Sequence, residues 1–128
     1  MADTGFRAVP LRDALHIGIE RLGYTEMTDI QRQALPLALE GSDLVGHART
    51  GSGKTAAFGL ALLHRLDVSD RSPQALVLGP TRELAQQLTT ALRALAVGME
   101  GTRIIPVTGG APSRVQRDAM DAGAHVIV

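Results

Sequence analysis

The segment that most restricts what this chain can become is Ala48-Arg49-Thr50-Gly51-Ser52-Gly53-Lys54-Thr55. It follows Leu44-Val45, which reads as the start of a short buried strand, and it opens a helix. A glycine-rich turn in that position wraps backbone N–H groups around a phosphate at the positive end of the following helix. Gly51 and Gly53 permit the backbone angles and the close approach. Lys54 would set its ammonium near the β- and γ-phosphates, and the Thr55 hydroxyl is a natural ligand for Mg²⁺. The general pattern asks for glycine at the first position, where this chain has Ala48. A plain glycine turn at a helix start is the bland alternative, but Gly-Lys-Thr between a strand and a helix is uncommon. The segment reads as a nucleotide-binding phosphate loop.

The rest of the chain supplies a matching frame. Leu11, Leu15, Ile19 and Leu22 form a helical stripe over residues 11–22, with Gly23 as a stop. A second helix starts at Thr28, where Thr28-Asp29-Ile30-Gln31 has the form of a capping box, and Pro36 is expected to kink or break it. Gly41-Ser42 ends that helix. A strand at about 75–79 leads into a helix with Leu84, Leu88, Leu92 and Leu95 on one face, closed by Gly98. A strand from Arg103 to Val107 runs into Thr108-Gly109-Gly110, with Pro106 placing it near a strand end. Ser113-Arg114-Val115-Gln116 reads as another capping box, opening a helix to about Ala122, and Val126-Ile127-Val128 reads as a last buried strand. Strands alternating with helices in this way imply an α/β fold, a parallel sheet with helices on both faces. A chain that stops inside a core strand is expected to be a fragment truncated at its C-terminus. Ser69–Pro73 is expected to be a surface loop.

Composition narrows the function classes. The chain has 128 residues, one domain at most, with 45% apolar and 20% charged residues, an ordinary globular balance. No apolar run approaches the length that crosses a bilayer, and no basic-then-apolar leader begins the chain, so no membrane partner is expected. Cysteine is absent, which excludes disulfides and thiolate metal sites and fits a reducing cytoplasm. His16, His47, His64 and His125 have no metal-ligand spacing and are read as structural. Thirteen basic residues balance 13 acidic ones, and the aromatics are only Phe6, Tyr24 and Phe58. Gripping nucleic acid by bulk charge or by a stacking platform is therefore not expected. Any such contact must come from backbone amides, helix N-termini and a few placed side chains.

Four segments together resemble the DEAD-box family of ATP-dependent RNA helicases, in the family's order and over essentially the whole chain. Gly23-Tyr24-Thr25-Glu26-Met27-Thr28-Asp29-Ile30-Gln31 is similar to the adenine-reading Q motif (23–31), with Phe6 at the expected upstream distance. Met27 departs from it, standing where the family usually has proline. The phosphate loop (48–55), with alanine first, matches the family's own variant. Pro80-Thr81-Arg82-Glu83-Leu84-Ala85 resembles motif Ia (80–85), and Gly109-Gly110 the family's glycine pair. The resemblance implies a RecA-like P-loop fold, with residues 1–128 as the N-terminal portion of a helicase ATP-binding domain. It implies ATP or ADP with Mg²⁺ as cofactors, RNA held by its backbone as partner, and a second RecA-like lobe in the intact protein. The implied nucleotide site is Phe6, Tyr24, Gln31, Arg49, Thr50, Gly51, Ser52, Gly53, Lys54, Thr55 and Ala56, with Lys54 and Thr55 serving catalysis and Thr55 the metal. The implied RNA contacts are Pro80, Thr81, Arg82, Glu83, Gly109 and Gly110.

Residue chemistry supports parts of this assignment and leaves others open. The Gln31 carboxamide has a donor side and an acceptor side that match N7 and the N6 amino group of adenine. It equally fits as the N3 residue of a helix cap; the resemblance favours adenine. Phe6 could stack on the base or merely anchor the N-terminal segment in the core. Thr81 and Arg82 add donors at a helix N-terminus, which also makes Thr81 a natural N-cap and Glu83 a partner of the helix dipole. Gly109-Gly110 admits a close phosphate or is a simple turn. All three phosphate candidates follow the carboxyl ends of expected strands, the rim where open α/β sheets bind ligands.

Hydrolysis needs an acidic residue after a strand to hold Mg²⁺ and a group that orients the attacking water. No apolar strand here ends in such acids, so this chain alone is expected to bind nucleotide without useful turnover. A DNA helicase of the same superfamily, a small-molecule kinase and a pure P-loop binding module are the rival readings. A kinase should show a lid and acceptor pocket and would not need Pro80–Ala85.

Overall fold

The leucine stripe organises the molecule. In the computed structural model, which describes residues 3–128, α4 (Arg82–Leu95) buries Ala85, Leu88, Leu92 and Leu95 along one side. Thr81 caps it, its hydroxyl oxygen accepting the Leu84 N–H at 3.1 Å. Leu15 and Ile19 of α1 (Asp13–Arg21) and Leu60 and Leu63 of α3 (Lys54–His64) meet the same cluster. Gly18 lets α1 approach α4, because a Cβ there would collide with the Leu95 carbonyl oxygen. The second helix, α2 (Asp29–Glu40), begins with the expected capping box: Gln31 Oε1 accepts the Thr28 N–H at 2.9 Å.

Three short parallel strands carry the other layer: β1 (Ala75–Leu76), β2 (Ile104–Ile105) and β3 (Val126–Ile127), in the order β1-β3-β2. Ala75 and Ile104 both register with Val126, and Leu76 and Ile105 with Ile127. Chain order and strand order together fix the helices. The path β1-α4-β2 crosses the sheet one way, and β2-α5-β3 returns through α5 (Ser113–Asp121). Parallel crossovers are right-handed, so opposite directions of travel put α4 and α5 on opposite faces. Packing agrees: Ala75, Val77, Ile104, Val126 and Val128 join the leucine cluster, whereas Ile105 and Ile127 lie outside it. The α/β fold with helices on both faces is therefore present.

Local expectations fail in five places. Leu44-Val45 is not a buried strand: residues 43–49 have no regular structure, Leu44 is 43% exposed and Val45 fully exposed. An apolar pair becomes a strand only beside a hydrogen-bonding neighbour, and β1 and β2 both pair with β3 instead. Pro36 does not break α2, which runs on to Glu40. The ring removes one N–H, and burial of Leu35 with Ala38 and Leu39 against the core holds the last turns in place. Gly98 does not close α4, which ends at Leu95 with Ala96 as C-cap. Gly98 instead sits where any side chain would strike the Ala14 carbonyl oxygen. The strands expected at 75–79 and 103–107 are shorter than expected, although Val77 and Val107 N–H groups continue the ladder to Ile127 and Val128 carbonyls at 2.9 and 2.7 Å. The Ser113 capping box does not form: the N-cap is Pro112, and Gln116 turns elsewhere.

His125 is buried, its Nδ1 accepting the Arg103 N–H at 3.0 Å and its Nε2 2.9 Å from the Val68 carbonyl. It ties the start of β2 to the surface loop before β1. Among the described residues no helix is long and apolar enough to cross a membrane.

Candidate nucleotide site and sheet rim

The phosphate loop takes its shape from glycines. Gly51 and Gly53 have φ of 80° and 85°, the left-handed region that side chains resist, and Gly53 is the N-cap of α3. The first residue of that helix, Lys54, folds back across the loop and donates from Nζ to the Ala48 carbonyl oxygen at 2.6 Å. Ser52 Oγ is buried without a hydrogen-bond partner among the described residues. A side chain placed at Gly51 would meet nothing within 4 Å, so the loop is open on that side. An orphan hydroxyl, a lysine parked on a carbonyl and an open mouth at a helix N-terminus together suit a phosphate group. Thr55 is half-buried one residue further on, and Ala56 is buried. Arg49 and Thr50 are exposed.

Gln31 reaches this loop from α2. Besides accepting the Thr28 N–H, its amide donates from Nε2 to the Gly53 carbonyl at 3.0 Å, and the residue is only 3% exposed. The helix-cap role is thus real, and a second bond joins the cap to the phosphate loop. One N–H and one lone pair of the carboxamide remain. A side chain at Gly53 would run into the Gln31 amide nitrogen, with Thr28 Oγ1 3.2 Å away. Phe6 is 3% exposed inside a 3-10 turn, Phe6–Ala8, and belongs to the core cluster. Tyr24 stacks on it with ring centroids 6.3 Å apart and is itself 42% exposed, so the aromatic surface facing solvent here is tyrosine.

The rim beyond the strands gathers the other candidates. Gly79, Pro80, Thr81, Arg82, Thr108 and Gly109 line a hollow of about 230 Å³ together with Val77, Leu78, Ala85, Val107 and Val128. No phosphate-loop residue lines it. Glu83 stays outside it, exposed in the first turn of α4. Gly110 has φ of 80°, and a Cβ there would collide with the Arg82 guanidinium, whose Cζ lies 2.8 Å from that position. Gly110 therefore leaves room that an arginine occupies, a role that spacing alone could not reveal. Gln116 Oε1 accepts the Thr108 N–H at 2.6 Å across the same turn. A larger hollow of about 450 Å³ lies at the β2 edge among Arg93, Met99, Thr102 and Ile104 and contains none of the candidate residues.

Shifted titrations fall elsewhere. Burial first, then the Arg7 charge, holds His16 below its ordinary value. Burial with Arg12 and Arg65 does the same to His64, whose Nδ1 accepts the Arg12 N–H at 3.1 Å. Asp67 and Asp70 are lowered chiefly by hydroxyl bonds from Ser69 and Ser72 in the exposed loop.

Residues 28–128 match the family model described as DEAD/DEAH box helicase. The chain is 50% identical over 110 residues to the ATP-dependent RNA helicase DbpA of Escherichia coli, covering 86% of this chain and 24% of that protein. It superposes with a TM-score of 0.92 on a DEAD box protein from Methanococcus jannaschii, at 32% identity, covering 100% of this chain and 35% of that one. Against Saccharomyces cerevisiae Dbp5 bound to RNA and ADP BeF3 the TM-score is 0.81 at 30% identity, covering 98% of this chain and 32% of the other. The chain spans about a quarter of the length of the curated relatives it matches.

Proposed function

Because this chain belongs to the DEAD/DEAH box helicase family, we propose that it forms the nucleotide-binding portion, residues 1–128, of the first RecA-like lobe of an ATP-dependent RNA helicase. The observation that carries this is the Gln31 amide, bonded at once to the Thr28 N–H and the Gly53 carbonyl. It links the base-reading segment directly to the phosphate loop. The free N–H and lone pair of that amide meet N7 and the N6 amino group of adenine, while guanine would oppose two acceptors to them. Tyr24, over Phe6, lies beside the base. Lys54 leaves the Ala48 carbonyl for phosphate oxygens, and Ser52 Oγ gains the partner it lacks. The backbone of Arg49–Gly53 and the amides of Lys54, Thr55 and Ala56 cradle the phosphates at the start of α3. Thr55 is the residue that would hold Mg²⁺, which when bound neutralises charge between the β- and γ-phosphates.

On the rim, Pro80–Glu83 and Gly109-Gly110 face the RNA backbone, with Thr81, Arg82 and the α4 N-terminus as donors. The matched relatives carry RNA helicase names, and the Dbp5 neighbour was solved with RNA. In the whole protein this surface works against a second lobe to bend RNA and part short duplexes or remodel RNA–protein complexes. The 128-residue chain binds adenine nucleotide without turning it over, since it has no paired acids after a strand.

Calorimetry with Mg-ADP and Mg-GDP tests the reading. ADP should bind and GDP fail, Gln31→Ala should erase the difference, and Lys54→Ala should weaken both. Equal binding of the two nucleotides would return Gln31 to a helix cap and remove the adenine assignment.

A further inference from the structure

Gln116 occupies a place that the functional reading leaves unexplained. By sequence it belongs to a capping box with Ser113, yet Pro112 is the N-cap and no side chain caps the helix. No residue of α5 is buried, so core packing does not fix this helix. Its first turn is held by hydrogen bonds that run outward to the preceding loop. Gln116 Oε1 accepts the Thr108 N–H at 2.6 Å, and its Nε2 donates to the Ala111 carbonyl at 3.3 Å. The residue thus clasps both ends of the segment that contains Gly109-Gly110.

That segment is where Arg82 rests. Gly110, at φ of 80°, leaves the room that the Arg82 guanidinium fills. Arg82 is exposed and makes no ion pair among the described residues, so its donors are uncommitted. Its guanidinium stands beside a hollow lined by the α4 N-terminus and the turn, an arrangement suited to a phosphodiester oxygen. We propose that Gln116 is a positioning residue for the RNA-backbone face, locking the Gly109-Gly110 turn so that Arg82 is pre-set for a phosphate. This rests on the RNA reading of the rim. Gln116 touches no RNA itself. Losing its clasp frees the turn, and ordering of Arg82 must then accompany binding, a loss of about two- to ten-fold in affinity.

The test uses the 128-residue chain, isotope-labelled, titrated with a single-stranded uridine oligonucleotide in the presence of Mg-ADP. Amide shifts at Thr81, Arg82 and Gly110 report affinity, and hydrogen exchange at Thr108 reports the clasp. Gln116→Met keeps the volume and removes both bonds. It should speed exchange at Thr108, weaken RNA by the stated factor, and add nothing on top of Arg82→Ala, because the two substitutions act through one contact. Additive losses, or unchanged affinity in Gln116→Met while Arg82→Ala alone weakens binding, would overturn the inference and leave the rim reading standing. Unchanged affinity in Arg82→Ala would sink the rim reading, and the inference with it.

Discussion

The two edges of the sheet are finished differently. At β2, the Arg103 and Ile105 carbonyls and the Val107 N–H bond towards β3, which turns Ile104 and Pro106 outward. The outward Ile104 carbonyl accepts two N–H groups of Arg93, at 3.1 and 2.7 Å, and Pro106 has no N–H to present. Such an edge offers almost nothing to another strand. At β1 the inward bonds come from Ala75 and Val77, which leaves the backbone groups of Leu76 and Leu78 towards the open side. The side chains of these two leucines are also bare on the sheet face, the residues being 66% and 83% exposed. The first edge is sealed by a proline and a guanidinium; the second has the composition of an interior strand in the position of an outer one. Leu44-Val45 repeats the second pattern, apolar, unpaired and bare. The bare edge also leads straight into Gly79-Pro80-Thr81, so the open border and the rim hollow are neighbours.

The largest effect should come from beneath both edges. Leu92 is fully buried in the layer that supports the sheet, and Leu92→Ala should lower stability by about 2–5 kcal/mol in urea unfolding. Amide protection should fall at β1 and β2 together; a loss confined to one would mean that the edges do not share a core. Arg93→Ala strips the cap from β2 and leaves the Ile104 carbonyl unsatisfied, at about 1–3 kcal/mol. Hydrogen exchange at Val107 and Val128, whose N–H groups join β2 to β3, should accelerate, and unchanged rates would show that the guanidinium is not what seals that edge. Leu78→Lys should alter stability by no more than about 0.5 kcal/mol. In sedimentation velocity it should reduce any concentration-dependent association, since a lysine blunts an open strand. A clear loss of stability would instead mean that β1 is covered in solution.

The smallest effect is pH-dependent and should ignore the edges. His16 and His64 have folded pKa values below the ordinary 6.5. The unfolded chain therefore takes up protons first as pH falls, and stability should decline from about 6.5 downward while staying level above it. His64→Gln should flatten part of that decline in thermal melts. A decline that begins well above 6.5 would point to some other group.

What the sequence made legible was local. Leu84, Leu88, Leu92 and Leu95 announce a helix because their spacing is the helix period, and Thr28 with Gln31 announces its start because the cap closes within one turn. The glycine turn that opens α3 was readable for the same reason: its glycines, lysine and threonine lie within five consecutive residues. The misses needed knowledge of distant partners. Leu44-Val45 has the apolar signature of a strand but pairs with no strand among the described residues. Gln116 found the Thr108 N–H in place of its own helix end. Arg82 against Gly110 and Arg93 against Ile104 join residues that only the folded sheet brings together. Spacing left Gly109-Gly110 as either a phosphate approach or a simple turn, and it could not show that the Arg82 guanidinium lies against Gly110.

The contact between Gln31 and Gly53 has a consequence for anyone who dissects the site by substitution. Gly53 is constrained twice, by its left-handed backbone and by the amide nitrogen lying against it. In the proposed site, Gly53→Ala would press on the base-reading amide as well as on the phosphate cradle, and Gln31→Ala would relieve that contact while the left-handed backbone strain at 53 remained. The two positions form an epistatic pair. In the laboratory neither single variant reports on one contact alone.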